Sequence, residues 1–107
     1  MPDLAMIAKL ADVKSAVLGD LAGGYHDAVR EQDGETVAAV MGFVSSAMVH
    51  AGEQLGLGTL RTISIVGEAR GCLIVVQGDS VITARVEPGK SLAAVEKLVD
   101  TSVQGRA

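Results

Sequence analysis

The hydrophobic and polar positions of this 107-residue chain change period along its length, from helical to strand-like and back. Leu4, Ile7, Leu10 and Ala11 recur at helical spacing over residues 3–11, which predicts a short amphipathic helix with Asp3 near its start. Residues 13–18 and 25–30 read as strands. Leu21-Ala22-Gly23-Gly24 between them reads as a turn, because paired glycines supply the positive φ that hairpin turns need. Gln32-Asp33-Gly34 breaks the second strand, and Asp33 is placed to cap the next helix.

Residues 35–55 form the main helix, about 31 Å long at 1.5 Å per residue. One stripe of its wheel is large and apolar: Val37, Val40, Met41, Val44, Met48, Ala51 and Leu55. Beside it runs a stripe of mostly small residues: Ala38, Gly42, Ser45, Val49 and Gly52. The polar remainder is narrow, with Glu35, Ser46, His50, Glu53 and Gln54, and Phe43 on its edge. A surface helix shows an apolar stripe of ~100° or a little more, and this one is about twice as wide. Two of its faces therefore need cover. Each interior glycine costs about 1 kcal/mol relative to Ala, a cost that suits the close approach of a second helix backbone.

Gly56-Leu57-Gly58 ends the helix. Residues 60–66, 72–76 and 80–86 read as three strands, joined at 67–71 and 77–79 by connections of hairpin length. Residues 72–76 are apolar throughout, as in a strand covered on both faces. Residues 60–66 mix Arg61, Thr62 and Ser64 with Ile63, Ile65 and Val66, which suits a sheet edge or a strand shared with a partner. After the turn Glu87-Pro88-Gly89-Lys90, Ser91 caps a last helix whose stripe is Leu92, Val95, Leu98, Val99 and Val103, and residues 104–107 fray. The order α-β-β-α-β-β-β-α predicts an α+β fold. Its five-stranded antiparallel sheet carries the long helix on one face and the two shorter helices on the other. The length fits one domain, residues 1–107.

Composition narrows the function. Nine basic and thirteen acidic residues leave a net charge of −4, and Phe and Tyr occur once each. Such a chain has no basic stripe for phosphate and few rings for bases, so neither nucleic acid nor an anionic membrane surface is expected as partner. The single cysteine, Cys72, rules out an intrachain disulfide and reads as a buried inert thiol. No apolar run reaches the ~20 residues of a membrane span, and the start Met1-Pro2-Asp3-Leu4 lacks a signal-peptide pattern. A soluble cytoplasmic protein is expected.

Reactive chemistry finds no foothold. His26, His50 and Cys72 show no metal-ligand spacing, and both histidines read as solvated or capping residues. Gly19-Asp20-Leu21-Ala22-Gly23-Gly24 lacks the Lys-Ser/Thr of a phosphate loop. Gly56-Leu57-Gly58 follows a helix and precedes a strand, the reverse of a dinucleotide fingerprint. Carboxylates are scattered, and no serine sits in a nucleophile elbow. No catalytic, cofactor-binding or metal residue is assigned, and an enzyme is not expected.

The element order, the helix end Glu53-Gln54-Leu55-Gly56-Leu57-Gly58, the following Leu60-Arg61-Thr62-Ile63-Ser64-Ile65 and the strand pair around Gln77-Gly78-Asp79-Ser80 resemble the Roadblock/dynein light chain family, whose fold is profilin-like. The resemblance covers roughly residues 4–103. It implies a homodimer in which the strand after the long helix pairs with its twin and the two long helices pack over the joint. The dimer residues would then be Ala38, Gly42, Ser45, Val49 and Gly52 on the helix, with Leu60, Arg61, Thr62, Ile63, Ser64 and Ile65 at the edge. It also implies a partner of the Ras-like small GTPase class, regulated or scaffolded by a single-domain module. The alternative is a structural subunit of a motor or signalling complex, without effect on nucleotide turnover. A small-molecule sensor is disfavoured by an aliphatic core with few convergent polar groups. The chain departs from the family in having few aromatic and long charged residues, and its arginines, Arg30, Arg61, Arg70, Arg85 and Arg106, do not indicate an arginine finger.

Overall fold

The computed structural model describes residues 4–10, 13–68 and 70–86. Its elements run α1 (Leu4–Ala8), β1 (Val13–Asp20), β2 (Tyr25–Val29), α2 (Gly34–Gln54), β3 (Thr62–Val66), β4 (Gly71–Gln77) and β5 (Ser80–Val86). The helix and turn expected after residue 86 lie outside the described residues, as do the 104–107 tail and Arg106. The five strands form one sheet in the order β2-β1-β5-β4-β3, and all its neighbouring strands pair antiparallel. β5 is the central strand, with β1 and β4 on either side of it. The chain leaves one edge at β2, crosses on α2, and re-enters at the opposite edge as β3. At ~4.8 Å per strand the sheet is about 19 Å wide, so the ~31 Å helix is long enough to make that crossing.

Alternation along the strands divides the apolar residues between two faces. Ala16, Leu73, Val75, Ile82, Ala84 and Val86 meet Leu4, Ile7 and Ala8 of α1 on one face. On the other, Ile63, Ile74, Val76 and Val81 pack with Met41 and Val49 of α2, and Val17 packs with Val37 and Ala38. In β4 every residue from Leu73 to Val76 is buried, as its unbroken apolar run predicts for a strand with both faces covered.

The end of α2 is a Schellman motif. Gly56 has φ +72, its N–H donates to the Glu53 carbonyl, and the N–H of Leu57 donates to the Gly52 carbonyl. Asp33 occupies the N-cap position but makes no side-chain bond to a helix N–H; its Oδ1 instead accepts the Thr36 hydroxyl at 3.4 Å. Strand β2 ends at Val29 because Arg30 turns to φ +57. Strand β1 runs two residues further than its apolar pattern suggests, to Asp20. Strand β3 starts at Thr62, while Leu60 tucks into the α2-side core and the Arg61 carbonyl still accepts the Val76 N–H at 2.8 Å.

Candidate interaction surface

The small-residue stripe of α2 faces its own sheet. Ala38, Gly42, Ser45 and Gly52 are all buried, and Val49 is half-buried in the α2-side core. A Cβ on Gly42 would lie 2.6 Å from Gly23 Cα, 2.7 Å from Gly23 N and 2.8 Å from the Asp20 carbonyl oxygen. The glycine does allow a close approach, but the backbone that approaches is the β1–β2 turn of the same chain. At Gly42 the close approach is thus made within the chain and not by the helix of a second copy. The wheel has two apolar stripes, and the sheet covers the one made of small residues.

The outward side of α2 carries Val40, Phe43, Met48 and, at its end, Leu55. Phe43 is 76% exposed and Leu55 74%. From Thr36 to Gly52 the helix holds no Asp, Glu, Lys or Arg, so Val40, Phe43 and Met48 stand exposed with no such charge between them, beside the polar Ser46 and His50. Main-chain packing of α2 is closest to β1, β5 and β2 and slighter on β4, so the β3 end of the sheet is the less covered.

Strand β3 is an edge, as its mixed sequence predicts. Because the Arg61 carbonyl meets β4, alternation turns the main-chain groups of Ile63 and Ile65 toward β4 and places those of Thr62, Ser64 and Val66 on the outer rim. Ile63 is buried on the α2 side. On the same face Ile65 stands opposite Cys72 and is 40% exposed, and Val66 is 76% exposed. Arg61 and Ser64 are exposed, and Leu60 and Thr62 are half-buried. Thr62, Ile63, Ser64 and Ile65 thus lie in the edge strand, with Leu60 packed against the α2-side core and Arg61 bonded to β4 just before it, and the helix stripe lies elsewhere.

The β1–β2 turn is a node that the residue pattern does not announce. Asp20 Oδ1 accepts the N–H groups of Ala22 at 3.0 Å and Gly24 at 2.9 Å, and its Oδ2 lies 2.8 Å from His26 Nε2. The Gly24 N–H foremost, then His26, holds the Asp20 carboxyl below its ordinary range. The Leu21 N–H donates to the Asp79 carbonyl at 3.0 Å, and Ser46 Oγ donates to the Leu21 carbonyl at 2.6 Å. The turn therefore ties the β4–β5 hairpin to α2. A cleft of about 500 Å³ opens beside it, lined by Leu21, Val49, Glu53, Leu60 and Val76 among others. Among the described residues no three His, Cys, Asp or Glu gather as a metal-binding group. Cys72 is half-buried, less enclosed than its apolar run suggests, and burial pushes its thiol up, against the opposing pull of Arg85 and Arg70. Arg85 Nε pairs with Glu31 Oε1 at 3.2 Å. The Arg30 guanidinium donates to the carbonyls of Lys14 (2.9 Å), Val13 (3.3 Å) and Ala8.

No protein-family model and no curated protein matches the chain by sequence. Solved structures do. A Roadblock/LC7 domain from Streptomyces avermitilis superposes with a TM-score of 0.80 at 14% identity, covering 94% of this chain and 88% of that one. The chain has the Roadblock fold. Myxococcus xanthus MglB gives 0.81 at 16% identity over 92% of this chain and 84% of its own. The gliding protein MglB of Thermus thermophilus gives 0.75 at 17% identity over 92% of this chain and 77% of its own. In this fold β3 is the edge strand that follows the long helix. No helix among the described residues is long and apolar enough to cross a membrane.

Proposed function

We propose that this chain is a non-catalytic, cytoplasmic homodimeric module that regulates or scaffolds a Ras-like small GTPase. One juxtaposition carries the reading: an uncharged edge strand, β3, at the less covered end of the sheet, together with a long helix that exposes Val40, Phe43, Met48 and, at its end, Leu55. In the dimer, β3 pairs antiparallel with its twin about Ser64. Ile65 gains cover from the second copy, and the apolar outer side of α2 meets its counterpart, in place of the small-residue stripe. Pairing at β3 makes an isologous contact, the self-complementary arrangement of a two-fold dimer. The GTPase class follows from the sequence resemblance, and the Roadblock fold supports it. Arg30 and Arg85 are engaged within the chain, and acceleration of GTP hydrolysis without an arginine from this protein would act by repositioning groups of the GTPase itself.

Light scattering should give twice the 10.9 kDa chain mass. GTP turnover by a small GTPase encoded beside this chain's gene, measured with and without the protein, tests the partner. Absence of binding in both nucleotide states would overturn it.

A further inference from the structure

We propose that the β2 edge is closed to strand addition by two of the chain's own side chains, Asp27 and Arg30, leaving β3 as the edge at which a second copy can add. The proposal deepens the dimer reading by fixing the edge, but closure of β2 stands whether or not β3 pairs.

Strand alternation locates the groups. The Asp20 N–H donates to the Gly24 carbonyl, so Asp20, Leu18 and Ala16 turn their main chain toward β2, and Val17 turns toward β5. Ala28 stands opposite Val17. Its N–H therefore points away from β1, off the rim of the sheet. That donor is closed by the neighbouring side chain: Asp27 Oδ1 accepts it at 2.8 Å. An incoming strand would bring a carbonyl oxygen to this position and meet a carboxylate there, acceptor against acceptor. Inward and rim charges are among the devices by which edges resist pairing.

The two ends of the same rim are also altered. The register steps by two residues on β2, from Asp27 to Tyr25, against one on β1, from Leu18 to Gly19. His26 is thus the extra residue of a bulge, its ring drawn back to Asp20. At the other end the last pair is Ala16 with Val29. Arg30 leaves the strand at φ +57, and its Nε takes the Lys14 carbonyl, a β1 acceptor beyond the reach of β2. A donor, a register and an acceptor are each dealt with locally. The sequence of β3 offers a contrast, with no charged residue between Arg61 and Glu68.

One closed edge and one that pairs with its twin make an assembly that stops. Two open edges would propagate into a filament. The test is sedimentation of the full chain over a wide concentration range, comparing Asp27→Ala with Asp27→Asn, both checked for wild-type circular dichroism. Asp27→Ala removes the acceptor and should raise the mean mass at high concentration to about twice that of wild type or more. Asp27→Asn keeps an Oδ1 acceptor and should stay at the wild-type mass. An unchanged mass for Asp27→Ala would overturn the proposal, as would equal association by Asp27→Asn. Hydrogen exchange gives a measurement on the unaltered protein: the Ala28 amide should be protected although it lies on the rim, and exchange at the open-chain rate would overturn closure. A wild-type monomer would sink the dimer reading alone, since Asp27→Ala would still be expected to associate.

Discussion

The same substitution at two glycines of α2 should move stability in opposite directions. At Gly42 an added Cβ meets three main-chain atoms of the β1–β2 turn, at 2.6, 2.7 and 2.8 Å. Main-chain atoms cannot rotate aside, so either the helix lifts or the turn gives way. Overpacking of this kind costs about 1–3 kcal/mol, and three simultaneous collisions place Gly42→Ala near the upper figure. Helix propensity returns about 1 kcal/mol, so the net loss is about 2 kcal/mol. For a chain of this length that is a fall in Tm of ~8 °C, at roughly 4 °C per kcal/mol. At Gly52 an added Cβ meets nothing within 4 Å. Only the propensity gain remains, and Gly52→Ala should be stabilised by up to about 1 kcal/mol. Thermal or urea unfolding followed by circular dichroism measures both. Protein concentration must be held equal, because self-association contributes to apparent stability. A Gly42→Ala protein as stable as wild type would refute the close approach. A destabilised Gly52→Ala protein would show that the open side of that residue is occupied by something else.

Ser45 is fully buried on the sheet side of α2, and its Oγ has no hydrogen-bond partner among the described residues, so Ser45→Ala should stabilise by about 1 kcal/mol in urea unfolding, and destabilisation would show that the hydroxyl is satisfied in solution. Asp20 has its carboxyl held below the ordinary range, so its bonds to Ala22 and Gly24 are fully present above the unfolded carboxyl pKa and are lost as pH falls through the depressed folded value. The protection of the Ala22 and Gly24 amides, taken as exchange relative to the open-chain rate at each pH, should fall in that acid window and lose this dependence in Asp20→Asn; a pH-independent protection in wild type would contradict the assignment. Leu55→Lys changes a side chain that is 74% exposed, so its cost in the isolated chain should be small. If the apolar outer side of α2 is the contact between copies, the variant should shift the mass toward 10.9 kDa, and an undiminished dimer would place the contact elsewhere.

Much of the fold is legible in local pattern. The strands show themselves because period-two runs end in glycine-rich turns, and β3 shows itself as an edge because its polar and apolar residues are mixed. The helix stop is legible because a Schellman motif needs a residue at positive φ, and Gly56 supplies it. The facing of α2 is not legible. Two adjacent stripes are both apolar, and what selects the small one is the approach of residues 20–23, distant in sequence from Gly42. The wheel gives the closeness of the contact and not its partner. Asp20 and Arg30 are missed for a different reason. Their partners are mostly main-chain groups, which every residue has, so no side-chain complementarity marks them. Asp27 is hidden in the same way.

Tyr25 is the chain's single tyrosine, and there is no tryptophan. It is the first residue of β2, 44% exposed, with its ring against Gly34, where an added Cβ would lie 2.7 Å from Cε1. The protein's intrinsic ultraviolet emission therefore comes from one place, the end of the guarded edge. Pairing at β3, on the far side of the sheet, should leave that emission unchanged, whereas any strand added at β2 should alter it. The scarcity of aromatic residues, which makes the chain faint to optical detection, gives it a built-in label that tells one edge from the other.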